Sequence, residues 1–110
     1  MEINFNITEN TMTIYLKGEL DHHTSLTARE RIDLKLSTSL QKNIIYDLTG
    51  LTFMDSSGIG LVANGYKIVR EFGGNITVVT DNEKYVRILK MSKMDELVKL
   101  VSPVRPKEVF

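Results

Sequence analysis

The chain has 110 residues, with 14 Lys plus Arg against 14 Asp plus Glu, and no cysteine. This length fits one domain, and the balanced charge argues against a general electrostatic attraction to nucleic acid or to an anionic membrane. Without cysteine, a signal-peptide pattern or the ~20-residue apolar run that spans a bilayer, the chain is expected to be a cytoplasmic domain without disulfides or thiol chemistry.

The start of the chain has the alternation of two strands. Apolar side chains alternate with polar ones in residues 3–7 and again in residues 12–16, and residues 8–11 are a polar turn. This pattern predicts a β-hairpin. We expect Gly18 to close the second strand and residues 19–24 to lead into a helix.

A helix is predicted over about residues 25–40, followed by a central strand. Apolar side chains recur in the helix every four residues, on one face: Ala28, Ile32, Leu36 and Leu40. Residues 44–48 are short, apolar and β-rich, as is typical of a central strand. Thr49 and Gly50 predict a bend before residues 51–54.

The second half of the chain alternates between helix and strand. A helical pattern covers residues 57–72 and ends at two glycines. Because that helix is apolar on more than one side, it is expected to be deeply buried or to face a partner. A strand over residues 75–80 precedes a third helix capped by Asp81 or Asn82. A last short strand is expected before residue 101.

The order of these elements predicts an α/β fold. Residues 1–101 are expected to form one domain, with a mixed β-sheet of four to five strands and helices packed against it. Residues 102–110 contain two prolines, which suit neither a helix nor a central strand, and are predicted to be a C-terminal tail.

The most informative segment is the polar motif where the second helix begins. Its residues are Phe53, Met54, Asp55, Ser56, Ser57, Gly58, Ile59 and Gly60. A helix start offers unpaired N–H groups and a partial positive charge. A hydroxyl there either caps the helix or is available for chemistry, and a phosphate on it would be favourably placed. The residues alone leave both interpretations open.

Three catalytic or ligand-binding alternatives have little support. The motif glycines lack the third glycine of a dinucleotide-binding loop and the lysine of a P-loop. Ser56 is not in a serine-hydrolase elbow, because Met54 occupies the place of its first glycine. His22 and His23 are adjacent, so on a helix they point about 100° apart and rarely share a metal. We expect no catalytic residue, no cofactor and no metal.

The chain resembles the bacterial anti-sigma factor antagonists, which are STAS-domain proteins. The sporulation branch, which acts on the anti-sigma factor of sigma F, is the more similar one because of Asp21, His22, His23 and Thr24. The resemblance extends over residues 1 to about 101. The segments that carry it, in the family's order and spacing, are residues 18–24, 53–60, 66–67, 73–74 and 89–92.

The resemblance implies a phosphorylation-controlled binding protein without catalysis of its own. Unphosphorylated members of the family bind an anti-sigma factor that is also a serine kinase, and so release the sigma factor. Phosphorylation by that kinase ends the binding, and a PP2C-type serine phosphatase restores it. The acceptor directly follows the motif aspartate, which makes it Ser56 here, with Ser57 as the minor alternative. The implied partner-binding residues are Asp21, His22, His23, Thr24, Asp55, Ser57, Gly58, Ile59 and Gly60.

One departure and one rival function accompany this resemblance. Asn64 and Gly65 stand where sporulation relatives carry Gly and Arg, so contacts with the partner are expected to differ there. Glycine also costs up to about 1 kcal/mol inside a helix. The rival function is a STAS scaffold or accessory subunit of another regulatory or transport complex, which predicts large assemblies or membrane partners.

Overall fold

The computed structural model describes residues 1–103, which contain five strands and three α-helices. Within these residues, no helix is long and apolar enough to cross a membrane. The elements are β1 (Glu2–Ile7), β2 (Thr11–Leu20), α1 (His22–Thr38), β3 (Asn43–Met54), α2 (Ser57–Glu71), β4 (Asn75–Val79), α3 (Glu83–Met91), a 3₁₀ turn (Met94–Glu96) and β5 (Lys99–Val101).

The strands form one mixed sheet in the order β1-β2-β3-β4-β5. β1 pairs with β2 in the antiparallel sense, as the predicted hairpin requires. The next three pairings are all parallel, and each parallel connection contains one helix. The predicted α/β fold with a mixed sheet is therefore confirmed, and the expected last strand is β5.

The core lies between one face of the sheet and the three helices. The register aligns Ile14, Tyr46, Val78 and Leu100 across β2 to β5, and all four are buried. Apolar residues of every helix belong to the same buried cluster. Successive right-handed crossovers that step in one direction across a sheet place their helices on one face, which explains this layer.

Two predicted strand ends are wrong because β2 and β3 share an irregularity. β2 continues past Gly18 to Leu20, and β3 continues through Thr49 and Gly50. Gly18 has a φ of 108°, in the region that favours glycine. A Cβ on Gly50 would lie 2.8 Å from the carbonyl oxygen of Leu16. The apparent bend is thus an irregular segment inside two paired strands.

Helix α1 begins and ends earlier than its apolar pattern predicts. It starts at His22 rather than near residue 25, and it ends at Thr38. Ala28, Ile32 and Leu36 are buried as expected, but Leu40 lies beyond the helix and is 83% exposed. The hydroxyl of Thr38 donates to the carbonyl of Leu34 in the final turn.

A polar cluster joins α1 to α2 at the surface of the helical layer. The Asn64 amide nitrogen donates to Asp33 Oδ2 at 2.6 Å, and Arg29 Nη2 donates to Asn64 Oδ1 at 2.7 Å. Arg29 Nε lies 3.8 Å from Asp33 Oδ2. Asn64 therefore accepts from one side chain of α1 and donates to another, which aligns the two helices.

Gly65 is explained by Tyr46, which lies beneath it on β3. A Cβ at residue 65 would collide with the Tyr46 hydroxyl and lie 3.1 Å from its Cζ atom. That hydroxyl and Asp33 Oδ1 are both buried without a hydrogen-bond partner among residues 1–103. Burial, with the nearby Asp33 charge, raises the pKa of Tyr46 well above its usual range. The helix accepts a glycine here because the core requires the space.

The last elements follow the expected order. Asn82, rather than Asp81, caps α3, since its side-chain oxygen accepts from the N–H groups of Lys84 and Tyr85. β5 ends at Val101 and closes the sheet beside β4. Residues 104–110 of the predicted tail lie outside the described residues.

Gly65→Ala tests the contact with Tyr46. We expect the substitution to lower the free energy of unfolding by about 1–3 kcal/mol, the usual cost of overpacking. Tyr46→Phe removes the colliding atom, so the double variant should recover much of the loss in urea unfolding. Gly60→Ala is the matched control, and it should stabilise by up to about 1 kcal/mol, because a Cβ there meets no atom within 4 Å. A Gly65→Ala variant as stable as the wild type would contradict the explanation.

Candidate functional site

Parallel pairing brings the two polar motifs together at one edge of the sheet. Leu20 at the end of β2 is in register with Met54 at the end of β3. The Asp55 N–H then donates to the Leu20 carbonyl at 3.3 Å. Leu20 and Met54 are 34 positions apart in the sequence, yet the segments that follow them leave the sheet side by side.

Asp21 and Thr24 cap the start of α1 reciprocally. The Thr24 N–H donates to Asp21 Oδ1 at 2.8 Å, and the Asp21 N–H donates to Thr24 Oγ1 at 3.0 Å. The Thr24 hydroxyl also donates to the Glu19 carbonyl at 2.8 Å. Such a box satisfies two N–H groups that a helix start leaves unpaired. His22 and His23 follow in the first turn, both exposed.

Asp55, rather than Ser57, caps the start of α2. Asp55 Oδ1 accepts from the Ser57 N–H at 2.8 Å, and the Asp55 carbonyl accepts from the Gly58 N–H at 3.1 Å. The Ser56 carbonyl accepts from the Ile59 N–H at 3.1 Å. Three N–H groups at the helix start therefore already have acceptors. No serine side chain is therefore needed to cap this helix.

Ser56 occupies the N-cap position, but its side chain does not cap. The residue is exposed, and its hydroxyl makes no capping hydrogen bond. Serine at this position usually turns its oxygen towards the N–H groups of the first turn. Because Asp55 serves that purpose here, the hydroxyl of Ser56 is left accessible to another molecule.

The two glycines of the motif have different surroundings. Gly58 is buried, and a Cβ there would lie 2.6 Å from the sulfur of Met54 and 2.7 Å from its Cγ atom. Gly60 is exposed, and a Cβ there would meet no atom within 4 Å. Packing thus explains Gly58 but not Gly60. Because glycine costs helix stability relative to a larger residue, its presence at residue 60 has no explanation in the fold.

Two cavities are lined by five of the nine predicted binding residues. His22, Ser57 and Gly60 line a cavity of about 200 Å³ between the first turns of α1 and α2. His23 and Thr24 line a separate cavity of about 440 Å³, which faces β1 instead. The structure therefore brings His22 to the Ser57 side and leaves His23 away from it. Within residues 1–103, no group of three His, Asp or Glu side chains could hold a metal ion.

Phe53 and Arg29 belong to this edge, although neither is among the predicted partner-binding residues. Phe53 is 45% exposed at the end of β3, where it pairs with Glu19. Arg29 lines the smaller cavity together with His22 and Leu26. Residues 22, 26 and 29 share one helix face by spacing, so this signal was present in the sequence. Phe53 lies on the face of β3 opposite to the buried Tyr46, Leu48 and Met54, as alternation along a strand requires.

The charge of Asp21 should make the stability of the protein depend on pH. The Thr24 N–H, with smaller contributions from the Thr24 hydroxyl and His23, holds the pKa of Asp21 below its usual value of 3.8. A lowered pKa stabilises the fold above the ordinary value, and this contribution is lost as the pH falls through the folded-state pKa.

Asp21→Asn keeps a capping oxygen but removes the titration. The difference in unfolding free energy between wild type and variant should therefore be constant at neutral pH and shrink below about pH 4. Urea unfolding at several pH values measures it. Asp81→Asn, in the exposed loop before α3, is the control. A difference that does not change with pH would exclude this role for the carboxylate.

Two known proteins that are similar to this chain over most of their length have the same function in their names. The anti-sigma F factor antagonist of Paenibacillus polymyxa is 33% identical over 98 residues, covering 89% of this chain and 84% of the relative. The anti-sigma F factor antagonist of Lysinibacillus sphaericus is 33% identical over 86 residues, which cover 78% of this chain and 74% of the relative.

Solved structures share the fold described above. The anti-sigma factor antagonist SpoIIAA in its unphosphorylated form matches with a TM-score of 0.78 and 24% identity, over 94% of this chain and 91% of that one. The phosphorylated form of Bacillus SpoIIAA matches with a TM-score of 0.72 and 25% identity, over 94% and 95%. The STAS domain family matches residues 2–108. The chain therefore belongs to the STAS domain family.

Proposed function

We propose that the chain is an anti-sigma factor antagonist controlled by phosphorylation at Ser56. Its unphosphorylated form binds an anti-sigma factor that is also a serine kinase, and the sigma factor is released. Phosphorylation of Ser56 ends the binding, and a PP2C-type phosphatase restores the binding form in the cytoplasm. The relatives that carry the anti-sigma F name support this assignment. The chain acts by binding and has no catalytic activity of its own.

The observation that carries the proposal is the accessible hydroxyl of Ser56. A kinase must reach the oxygen of its acceptor, and a hydroxyl held in a helix cap would have to leave that cap first. Ser56 is exposed, while Asp55 accepts the hydrogen bond from the Ser57 N–H. Ser57 is half-buried and lines the cleft between the helices, which makes it the less accessible of the two serines.

A phosphate on Ser56 would change the surface more than the fold. It adds a charge of about −1.5 to −2 and three acceptor oxygens. Because the N–H groups of Ser57, Gly58 and Ile59 already have acceptors, the phosphate is not drawn into the helix start. It adds bulk and negative charge beside Asp55, where the partner must bind. A loss of about 3 kcal/mol in binding free energy would weaken affinity roughly 150-fold.

The structural relatives support a switch that keeps the fold. The chain matches SpoIIAA structures in the unphosphorylated and the phosphorylated form over nearly the whole domain. A switch of this kind depends on surface complementarity, since like charges brought together at an interface oppose binding. The unphosphorylated edge, with Phe53 and Gly60 exposed, offers an apolar side chain and an open backbone to the partner.

The acceptor assignment is tested with the cognate anti-sigma kinase and ATP. Ser56→Ala should incorporate no phosphate, because the accessible hydroxyl is gone, whereas Ser57→Ala should be phosphorylated like the wild type. Intact mass spectrometry and mapping of the modified peptide measure the result. Phosphorylation of Ser56→Ala together with its loss in Ser57→Ala would assign the acceptor to Ser57 instead.

The switch itself is tested by a charge at the same position. Ser56→Glu should bind the anti-sigma factor on the order of 100-fold more weakly in calorimetry, because it adds negative charge and bulk at the interface. Ser37→Glu makes the same change at an exposed serine near the other end of α1, and it should bind like the wild type. Equal affinity of Ser56→Glu and wild type would contradict the mechanism.

A further inference from the structure

The cleft between α1 and α2 contains polar and charged side chains that have no role in the proposed phosphorylation of Ser56. It has a volume of about 200 Å³, and it is lined by His22, Ser25, Leu26, Arg29, Ser57, Gly60 and Leu61. That volume is roughly seven times the share of one water molecule in the liquid, so it holds a small side chain. Ser56 is not among the lining residues.

Arg29 gives the cleft a positive charge and a group that can only donate hydrogen bonds. Arg29 is 48% exposed and donates to Asn64 through Nη2, which leaves Nη1 without a hydrogen-bond acceptor among residues 1–103. The imidazole of His22 and the hydroxyl of Ser57 lie on the same cleft. The described lining contains no carboxylate. The complement of such a lining is an oxyanion, which a guanidinium binds with directional hydrogen bonds.

Arg29 is held in place before anything binds. Asn64 Oδ1 accepts from Nη2 at 2.7 Å, Asp33 Oδ2 lies 3.8 Å from Nε, and Asn64 itself donates to Asp33 at 2.6 Å. A long side chain that is already ordered loses less conformational entropy on binding. Asn64 is therefore a positioning residue for Arg29, and this role explains a polar side chain at residue 64 of α2.

Gly60 keeps the cleft open. It lines the cavity, and a Cβ there would extend into space that no other atom occupies within 4 Å. Any larger side chain would fill the room that an incoming group needs. A group of another molecule that enters the cleft would therefore explain why residue 60 is a glycine.

We infer that this cleft receives an acidic side chain of the anti-sigma factor, whose carboxylate binds Arg29. The inference rests on the proposed function, because it names a contact within the same interface. The cleft adjoins Ser56 through Ser57, so a partner that covers one also covers the other. Arg29 is then a specificity-determining residue on α1, outside the two motifs that the resemblance identifies.

Calorimetry of the unphosphorylated chain with the anti-sigma factor tests the contact. Arg29→Gln should weaken binding roughly 10- to 100-fold, because the partner carboxylate loses its cation. Arg29→Lys should recover part of the affinity, since it keeps the charge but not the planar fork. Arg87→Gln, an exposed arginine on α3, should bind within twofold of the wild type. Circular dichroism and urea unfolding show whether each variant is folded.

Three further measurements make the test specific. Gly60→Leu should weaken binding by filling the cleft, while its stability stays at or above that of wild type. Asn64→Ala should weaken binding less than Arg29→Gln, and the double variant should lose little more than Arg29→Gln alone. Each Asp and Glu of the partner interface can also be changed to Asn or Gln and combined with Arg29→Gln in a double-mutant cycle. For one of these partner residues, the effects of the two changes on the dissociation constant should depart from additivity by tenfold or more.

Each contrary result has a distinct meaning. If Arg29→Gln binds like the wild type while Ser56→Glu does not bind, the cleft is no carboxylate site and the proposed function stands. If the wild type does not bind the anti-sigma factor, both proposals are wrong. If Arg29→Gln leaves binding unchanged but shifts the ³¹P titration of the phosphorylated chain, the cleft holds the chain's own phosphate and the inference is wrong.

Discussion

The parallel pairing of β2 with β3 is the constraint on which the rest of the site depends. It brings the carboxyl ends of two neighbouring strands to one edge, so both helices that follow begin there. The hydrogen bond from Asp55 to the Leu20 carbonyl continues this pairing by one step beyond the strands. An edge formed in this way is the usual place for a binding site in an open α/β sheet. The polar motifs at residues 21–24 and 55–60 are adjacent because backbone hydrogen bonds hold the ends of β2 and β3 side by side.

The distance between the two helix starts is then set by packing deeper in the layer. Gly65 lets α2 approach Tyr46, and the cluster of Arg29, Asp33 and Asn64 joins the two helices at the surface. A larger residue at 65 would push α2 away from the sheet and widen the cleft at its start. The core and the candidate interface are thus connected, and Leu61 belongs to both, because it lines the cleft and is buried in the core.

Sequence reasoning succeeds here where the cause is local or periodic. Alternation, helical spacing and short apolar runs predict the five strands and three α-helices of the described domain, though not all of their ends, and the polar motif marks the start of α2. The reciprocal cap of Asp21 and Thr24 is also a local signal, and giving it full weight would have moved the start of α1 to His22. Leu40 misleads because it continues the spacing of α1 after the helix has ended.

The remaining features depend on contacts between distant segments. The reason for Gly65 lies 19 positions earlier in Tyr46, and no pattern in α2 contains it. The opposite surroundings of Gly58 and Gly60 are also invisible in a sequence where the two differ only in position. Likewise, β2 and β3 tolerate Gly18 and Gly50 because their irregularities meet in the pairing. Such matches between elements appear only once the elements are assembled.

At the start of α2, Asp55 accepts the capping hydrogen bond and Ser56 does not, and this difference bears on how fast the protein is degraded in a cell. Since the hydroxyl of Ser56 makes no capping bond, esterifying it removes no hydrogen bond from the helix start. Proteases remove proteins according to how often they unfold, and an unchanged set of hydrogen bonds at the helix start would not make the phosphorylated form of the proposed switch unfold more often. Both forms would then remain available to the opposing enzymes, so the signal would be reversed without the synthesis of new protein.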